Sequence, residues 1–145
     1  MCRQLLAQLR EQYEEIESEG YQIVAVAPSK ASFIKQFLDA FGPYPFEIVG
    51  DPDRQAFKAI KAKRPAKIIL LSKVALGVIT RRLKNIIPKD EKQAKFVKKS
   101  MTSQDVYIQG ATLIFDENGD LLWKHLDESP EKHAKISKIL NVIKS

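Results

Sequence analysis

The chain has one cysteine, one tryptophan, two histidines and six glycines among its 145 residues. A lone cysteine, Cys2, can neither close a disulfide within the chain nor build a thiolate metal cluster, so a disulfide-stapled scaffold is excluded. Long apolar runs are also missing. The longest are Ile68 to Leu71 and Val74 to Ile79, separated by Ser72 and Lys73, whereas a membrane span needs roughly 20 mostly apolar residues. The start Met-Cys-Arg-Gln-Leu turns acidic by Glu11 and lacks the basic, apolar and small-residue succession of a secretory leader, so a cytoplasmic location is the expectation. There is no Gly-x-Ser-x-Gly, no P-loop and no dinucleotide fingerprint, which leaves hydrolase, kinase and dehydrogenase readings without a motif.

The residues that are present describe an ordinary soluble domain: 44% hydrophobic and 29% charged. With no internal repeat or linker, residues 1–145 read as one domain. The net charge of +6 is unevenly spread. Residues 1–50 hold 4 basic and 7 acidic side chains, residues 51–100 hold 15 and 4, and residues 101–145 hold 5 and 7. The basic middle could attract nucleic acid, an acidic membrane face or an acidic protein. Its few aromatics, Phe57 and Phe96, fit an apolar face better than base stacking, so the block reads first as a solvated surface, and neither nucleic acid nor a membrane is an expected partner.

Periodicity predicts a helix over 3–19, with Leu5, Leu6, Leu9, Tyr13 and Ile16 on one face and Gly20 as its stop. Tyr21 to Ala27 reads as a buried strand. A helix over about 30–41 places Phe33, Ile34, Phe37, Leu38 and Phe41 inward, and Phe46 to Val49 forms a short strand. Asp51-Pro52 is a helix start, with Asp as N-cap and Pro at the first helical position, running to about Lys61. A longer helix follows from Ala66 to about Ile87, and Lys89 to Ser103 reads as a surface loop or loosely attached helix. Asp105 to Gln109 and Ala111 to Phe115 are strand-like. Glu117-Asn118-Gly119 turns into a return strand over 120–126. Ser129-Pro130-Glu131 opens a last helix with Ile136, Ile139, Leu140 and Ile143 inward.

Two stretches carry a family likeness. Cys2-Arg3-Gln4-Leu5-Leu6-Ala7-Gln8-Leu9 resembles the start of the active-site helix in the peroxiredoxin-like group related to alkyl hydroperoxide reductase and thiol-specific antioxidant proteins. There a C-x-x-C-R motif leads into an amphipathic helix. Gln109-Gly110-Ala111-Thr112-Leu113-Ile114-Phe115-Asp116, followed by Asn118-Gly119, His125, Asp127, Pro130 and His133, is similar to the same group's strand, hairpin and H-x-D-x-x-P-x-x-H pattern. Tyr21 to Pro28 and Phe46 to Arg54 fit its other strand segments. The resemblance implies an α/β fold: a thioredoxin-like three-layer α/β/α sandwich with a mixed sheet. Its first strand and first motif cysteine have no counterpart here, and Cys2 matches the second cysteine. Strands 21–27 and 111–115 are then expected to flank a gap, which favours a homo-dimer, a swapped element or direct pairing of the two strands.

The resemblance implies a thiol oxidoreductase without metal or organic cofactor, acting on peroxide or a protein disulfide and drawing on a thiol reductant protein. Cys2 is the candidate catalytic residue. A cysteine ahead of a helix meets the positive end of the helix dipole, and Arg3 adds a cation, both of which favour thiolate. A single thiolate can pass through sulfenic acid to a mixed disulfide. The resemblance also makes Arg3, Gln109, Gly110, Ala111 and Thr112 substrate-facing; for Gln109 to Thr112 the plain alternative is a bulged start to a strand. The whole-chain alternative is a non-catalytic thioredoxin-like interaction module that works through the basic middle. His125, Asp127 and His133 could form a facial ligand set, but their spacing matches no standard zinc signature. The other reading is a hydrogen-bond network joining hairpin to last helix, with Asp127 or Ser129 as helix cap.

Overall fold

The computed structural model describes residues 3–61, 89–103, 109–128 and 132–145. The helix expected over 66–87, most of the strand expected over 105–109, and Ser129-Pro130-Glu131 lie outside the described residues, as does Cys2. The described elements are α1 (Arg3–Glu11), α2 (Tyr13–Ser18), β1 (Val24–Ala27), α3 (Ala31–Phe41), β2 (Glu47–Gly50), α4 (Gln55–Ala59), α5 (Glu91–Ser103), β3 (Ala111–Phe115), β4 (Leu121–Leu126) and α6 (Ile136–Ile143). Among them no helix is long and apolar enough to cross a membrane.

The expected first helix is divided at Gln12, yet its hydrogen bonds run across the division, from Gln12 N–H to Gln8 O and from Ile16 N–H to Gln12 O. Its apolar stripe therefore stays continuous and buries Leu6 and Ile16. β1 pairs with β2 in parallel register, Val24 opposite Glu47 and Ala27 opposite Gly50, with α3 as the crossover. Adjacent strand residues point to opposite faces. Ile23 and Ala25 accordingly pack on the core, while Val24 (54% exposed) and Val26 (43%) face outward. The strand is buried on one face only, which corrects the expectation of a buried strand.

β3 and β4 form an antiparallel hairpin with a register shift between Ile114 and Phe115. Asp116 caps the turn with its carboxylate, accepting from the N–H groups of Asn118 and Asp120. Gly119 alone in the turn has positive φ (84°), so the Asn-Gly pair forms a type I turn closed by a left-handed glycine rather than a two-residue mirror-image turn. The described strands thus make two separate two-stranded ladders, β1-β2 and β3-β4, where one mixed sheet was expected. Direct β1–β3 pairing is absent among the described residues.

Three boundaries move. α4 starts at Gln55 rather than at Asp51-Pro52, because Arg54 takes a left-handed conformation (φ 59°) ahead of it. Asp51 still satisfies the helix start: its two carboxylate oxygens accept from Gln55 N–H (2.8 Å) and Ala56 N–H (2.9 Å). α6 starts at Ile136, so His133 lies in the extended segment before the helix, not in its first turn. Lys135 occupies the N-cap position without a side-chain cap. Of the two alternatives for 89–103 the helix is the one found, over Glu91–Ser103, and it is docked rather than loosely attached. Its Val97 is buried, and its Phe96 ring packs against Phe33, Phe37 and Phe41 at 4.8–5.7 Å between centroids. Lysines that read as a solvated face are partly used inward. Lys92 donates to Asp39 O at 2.9 Å and Lys99 to Gln36 Oε1 at 2.6 Å, tying α5 to α3.

Two cores result. One gathers Leu6, Phe37 and Phe46, with Tyr13, Phe41, Tyr44 and Phe96 around them. The other gathers Ile16, Ile114, Ala134, Ile139 and Ile143, with Tyr21 and Trp123 against them. Leu9 and Ile23 touch both, so α1 and the approach to β1 join the two.

Candidate functional site

The segment leading into β3 is built around a buried carboxylate. Asp127 directly follows β4 and is 7% exposed. Its N–H donates to Gly110 O (2.9 Å), and its own carbonyl accepts from Gln109 Nε2 (2.7 Å). Gln109 and Gly110 are thereby clamped to the end of β4 by one bond in each direction. A Cβ on Gly110 would collide with the Asp127 carboxylate, so a larger residue there would have to push that carboxylate aside. The close approach that a glycine permits is thus taken up by this chain's own side chain.

His133 holds the other side of the carboxylate, its Nδ1 lying 2.6 Å from Asp127 Oδ2. His125, on β4 directly opposite Thr112, points Nε2 toward Asp127 Oδ1 at 3.6 Å, beyond hydrogen-bond distance. Both of those atoms are buried without a hydrogen-bond partner. Trp123 stacks on the His125 ring, with centroids 5.9 Å apart and planes 15° apart. The polar network is therefore the reading that the geometry supports for His125, Asp127 and His133, with one change: Asp127 ties Gly110 and His133 together instead of capping α6. Among the described residues, no group of three His, Cys, Asp or Glu side chains is placed to hold a metal ion.

Arg3 opens α1, and its guanidinium lies over the Phe41 ring, 5.2 Å from the centroid. Arg10, two turns on, sits in the same way over Tyr44 at 5.2 Å. Burial raises the Tyr44 pKa above the ordinary phenol value, while the two arginines pull it back down. The candidate residues are thus held by different parts of the molecule. Arg3 rests on the aromatic core, and Gln109 and Gly110 are fixed by Asp127. Ala111 and Thr112 lie in the ladder opposite Leu126 and His125. The sequence reading named Asp127 with the two histidines, but not its contacts with Gln109 and Gly110. The signal was the Gln-Gly pair standing at one end of a hairpin whose other end carries His-x-Asp.

A parallel β-α-β unit, an antiparallel hairpin and a closing helix make this an α/β protein. The sequence model of the AhpC/TSA antioxidant enzyme family matches residues 8–129, and the chain belongs to that family. The peroxiredoxin-like, antioxidant character expected from the two motif stretches therefore holds at the level of the family. The matched stretch contains Gln109 to Thr112, His125 and Asp127, and leaves Cys2, Arg3 and His133 outside it. Neither the comparison with curated proteins nor that with solved structures gave a match.

Proposed function

We propose that the protein is a thiol-dependent antioxidant oxidoreductase in which Cys2 attacks a peroxide or a protein disulfide. The observation that carries this reading is the family membership over 8–129, combined with the chain's one cysteine standing in sequence directly before Arg3, the first residue of α1. A helix of 9 residues directs its free N–H groups and positive dipole end toward whatever precedes it, which favours thiolate over thiol.

With peroxide, the Cys2 thiolate attacks the terminal oxygen of the O–O bond, so that an S–O bond forms as the O–O bond breaks. The sulfur is oxidised to sulfenic acid, and the leaving alkoxide or hydroxide takes up a proton. A thiol from a second protein then condenses with the sulfenic acid, releasing water and forming a mixed disulfide. A second thiol of that reductant resolves the disulfide and returns Cys2. With one cysteine per chain, that reductant supplies both thiols.

The test is peroxide consumption with a dithiol protein as reductant. Cys2→Ser should lower turnover by at least a factor of about 100, since sulfur nucleophilicity has no substitute in the chain. Undiminished turnover in Cys2→Ser would retire the proposal.

A further inference from the structure

We propose that Asp127 is a positioning residue whose grip on the Gln109–Gly110 segment is tightened by a proton on His125. Four observations converge on this carboxylate. It is buried, and it bonds Gly110 and Gln109 through its own backbone. The missing side chain of Gly110 leaves it room, and His133 Nδ1 holds its Oδ2 at 2.6 Å. Its second oxygen is left 3.6 Å from His125 Nε2, both atoms buried and without a hydrogen-bond partner.

Two buried acceptors that face each other repel. A neutral imidazole with its proton on Nδ1 presents a lone pair at Nε2, and Asp127 Oδ1 presents another. One proton taken from solvent onto Nε2 turns the repulsion into a charge-assisted hydrogen bond, which closes to about 2.8 Å. The carboxylate is then held from both sides, and with it the backbone of Asp127 that clamps Gln109 and Gly110. Among the described residues the titratable groups that face Asp127 are His125 on β4 and His133 ahead of α6. Glu128 and Lys132 pair with each other at 2.9 Å on the exposed side, and Lys135 and Lys138 are exposed. Gln109, Gly110 and Thr112 bring no charge. The consequence for thiol chemistry rests on the function proposed above, whereas the linkage itself does not.

Trp123 is the chain's one tryptophan and stacks on His125, so its fluorescence reports the state of that ring. The experiment follows Trp123 fluorescence and, by NMR, the exchange rate of the residue-127 amide and the shift of the Gln109 side-chain amide, all against pH from 5 to 8. In the unaltered protein a single step is expected in all three, with residue-127 amide exchange slowed several-fold beyond the intrinsic pH effect on the acid side. Asp127→Asn should leave a fluorescence step, because the stack of Trp123 on His125 does not involve Asp127, but abolish the coupled change at Gln109 and at the residue-127 amide. His125→Gln should abolish all three while leaving the His133 contact, and it decides the matter alone if Asp127→Asn does not fold. A Gln109 step that survives His125→Gln, or no step in the unaltered protein, overturns the proposal. Cys2→Ser should show the same three steps as the unaltered protein. If peroxide turnover fails while the steps remain, the thiol reading falls and the Asp127 linkage stands.

Discussion

The two cores divide the labour differently. The core around Phe37 is made of rings: Phe33, Phe37, Phe41, Tyr44, Phe46 and Phe96 stand 4.8–5.8 Å from one another in successive pairs, and Arg3 and Arg10 lie on its outer rings. The core around Ile139 is aliphatic at its buried centre, with Tyr21 and Trp123 packed against it, and a buried carboxylate, Asp127, follows β4. Rings supply large apolar area and tolerate cations on their faces, so the first core can fix α1, α3 and α5 without any buried charge. The second adjoins a polar network that is only partly satisfied, at Asp127 and His125, which makes its geometry the more easily perturbed of the two.

The strongest way to break this contrast is at Phe37, 1% exposed and in ring contact with Phe41, Tyr44 and Phe96. Phe37→Ala should cost about 3–5 kcal/mol, because a ring-sized cavity opens where three other rings lose a face. Denaturant unfolding should show this as a lower midpoint. Ile143→Ala, the matched change in the aliphatic core, should cost about 2–4 kcal/mol, since the buried side chain removed is smaller than a ring and leaves a smaller cavity. A larger loss for Ile143→Ala would reverse the assignment of the dominant core.

The same contrast explains what could be read in the sequence. The aromatic core was visible as Phe33, Ile34, Phe37 and Phe41 at helical spacing, and β1, β2, the hairpin and α6 were visible as short apolar runs between turn residues. α5 was only one of two alternatives there, because nine of its thirteen residues are lysine or other polar or charged groups, and among its described side chains Phe96 and Val97 mark the buried side. A helix held by one aromatic against three distant rings leaves little periodic signal. At the site, Gln109 to Thr112, Arg3 and the His125, Asp127 and His133 set could be named from motif, but the meeting of Asp127 with Gly110 could not. Asp127, His125 and Gly110 meet only after the hairpin closes, and no local spacing announces that a carboxylate will occupy the space left by a glycine 17 residues earlier.

A smaller effect sharpens that point. Gly110→Ala inserts a methyl against the Asp127 carboxylate, which His133 holds from the other side and cannot release cheaply. The expected loss is about 1–3 kcal/mol. In an Asp127→Ala background the same insertion should cost markedly less, because the atoms it strikes are gone. Measured as a double-mutant cycle by thermal unfolding, the coupling should be about 1 kcal/mol or more. Strict additivity would mean that the collision is relieved elsewhere, and that Gly110 is free of Asp127.

The smallest effect is at the far edge of the aliphatic core, where Lys144, just past α6, donates to Glu15 of α2 at 2.5 Å. The hydrogen bond and attraction of Glu15 raise the Lys144 pKa above its ordinary value, with Glu19 adding a little and burial opposing. A lysine whose folded pKa is raised adds stability that is complete below the unfolded value of about 10.4 and is lost as pH climbs through the folded value. Lys144→Met should therefore lower the melting temperature slightly and by a constant amount from pH 7 to 9. The difference from the unaltered protein should then shrink above pH 10. Both side chains are nearly half exposed, so salt should shrink the neutral-pH difference as well. Tyr13, whose pKa is raised chiefly by its hydrogen bond to Glu17, titrates in the same alkaline range and is present in both proteins, so it cancels in the comparison. A difference that persists unchanged to pH 11 would assign the role of Lys144 to its aliphatic stem packing on the end of α6, not to its charge.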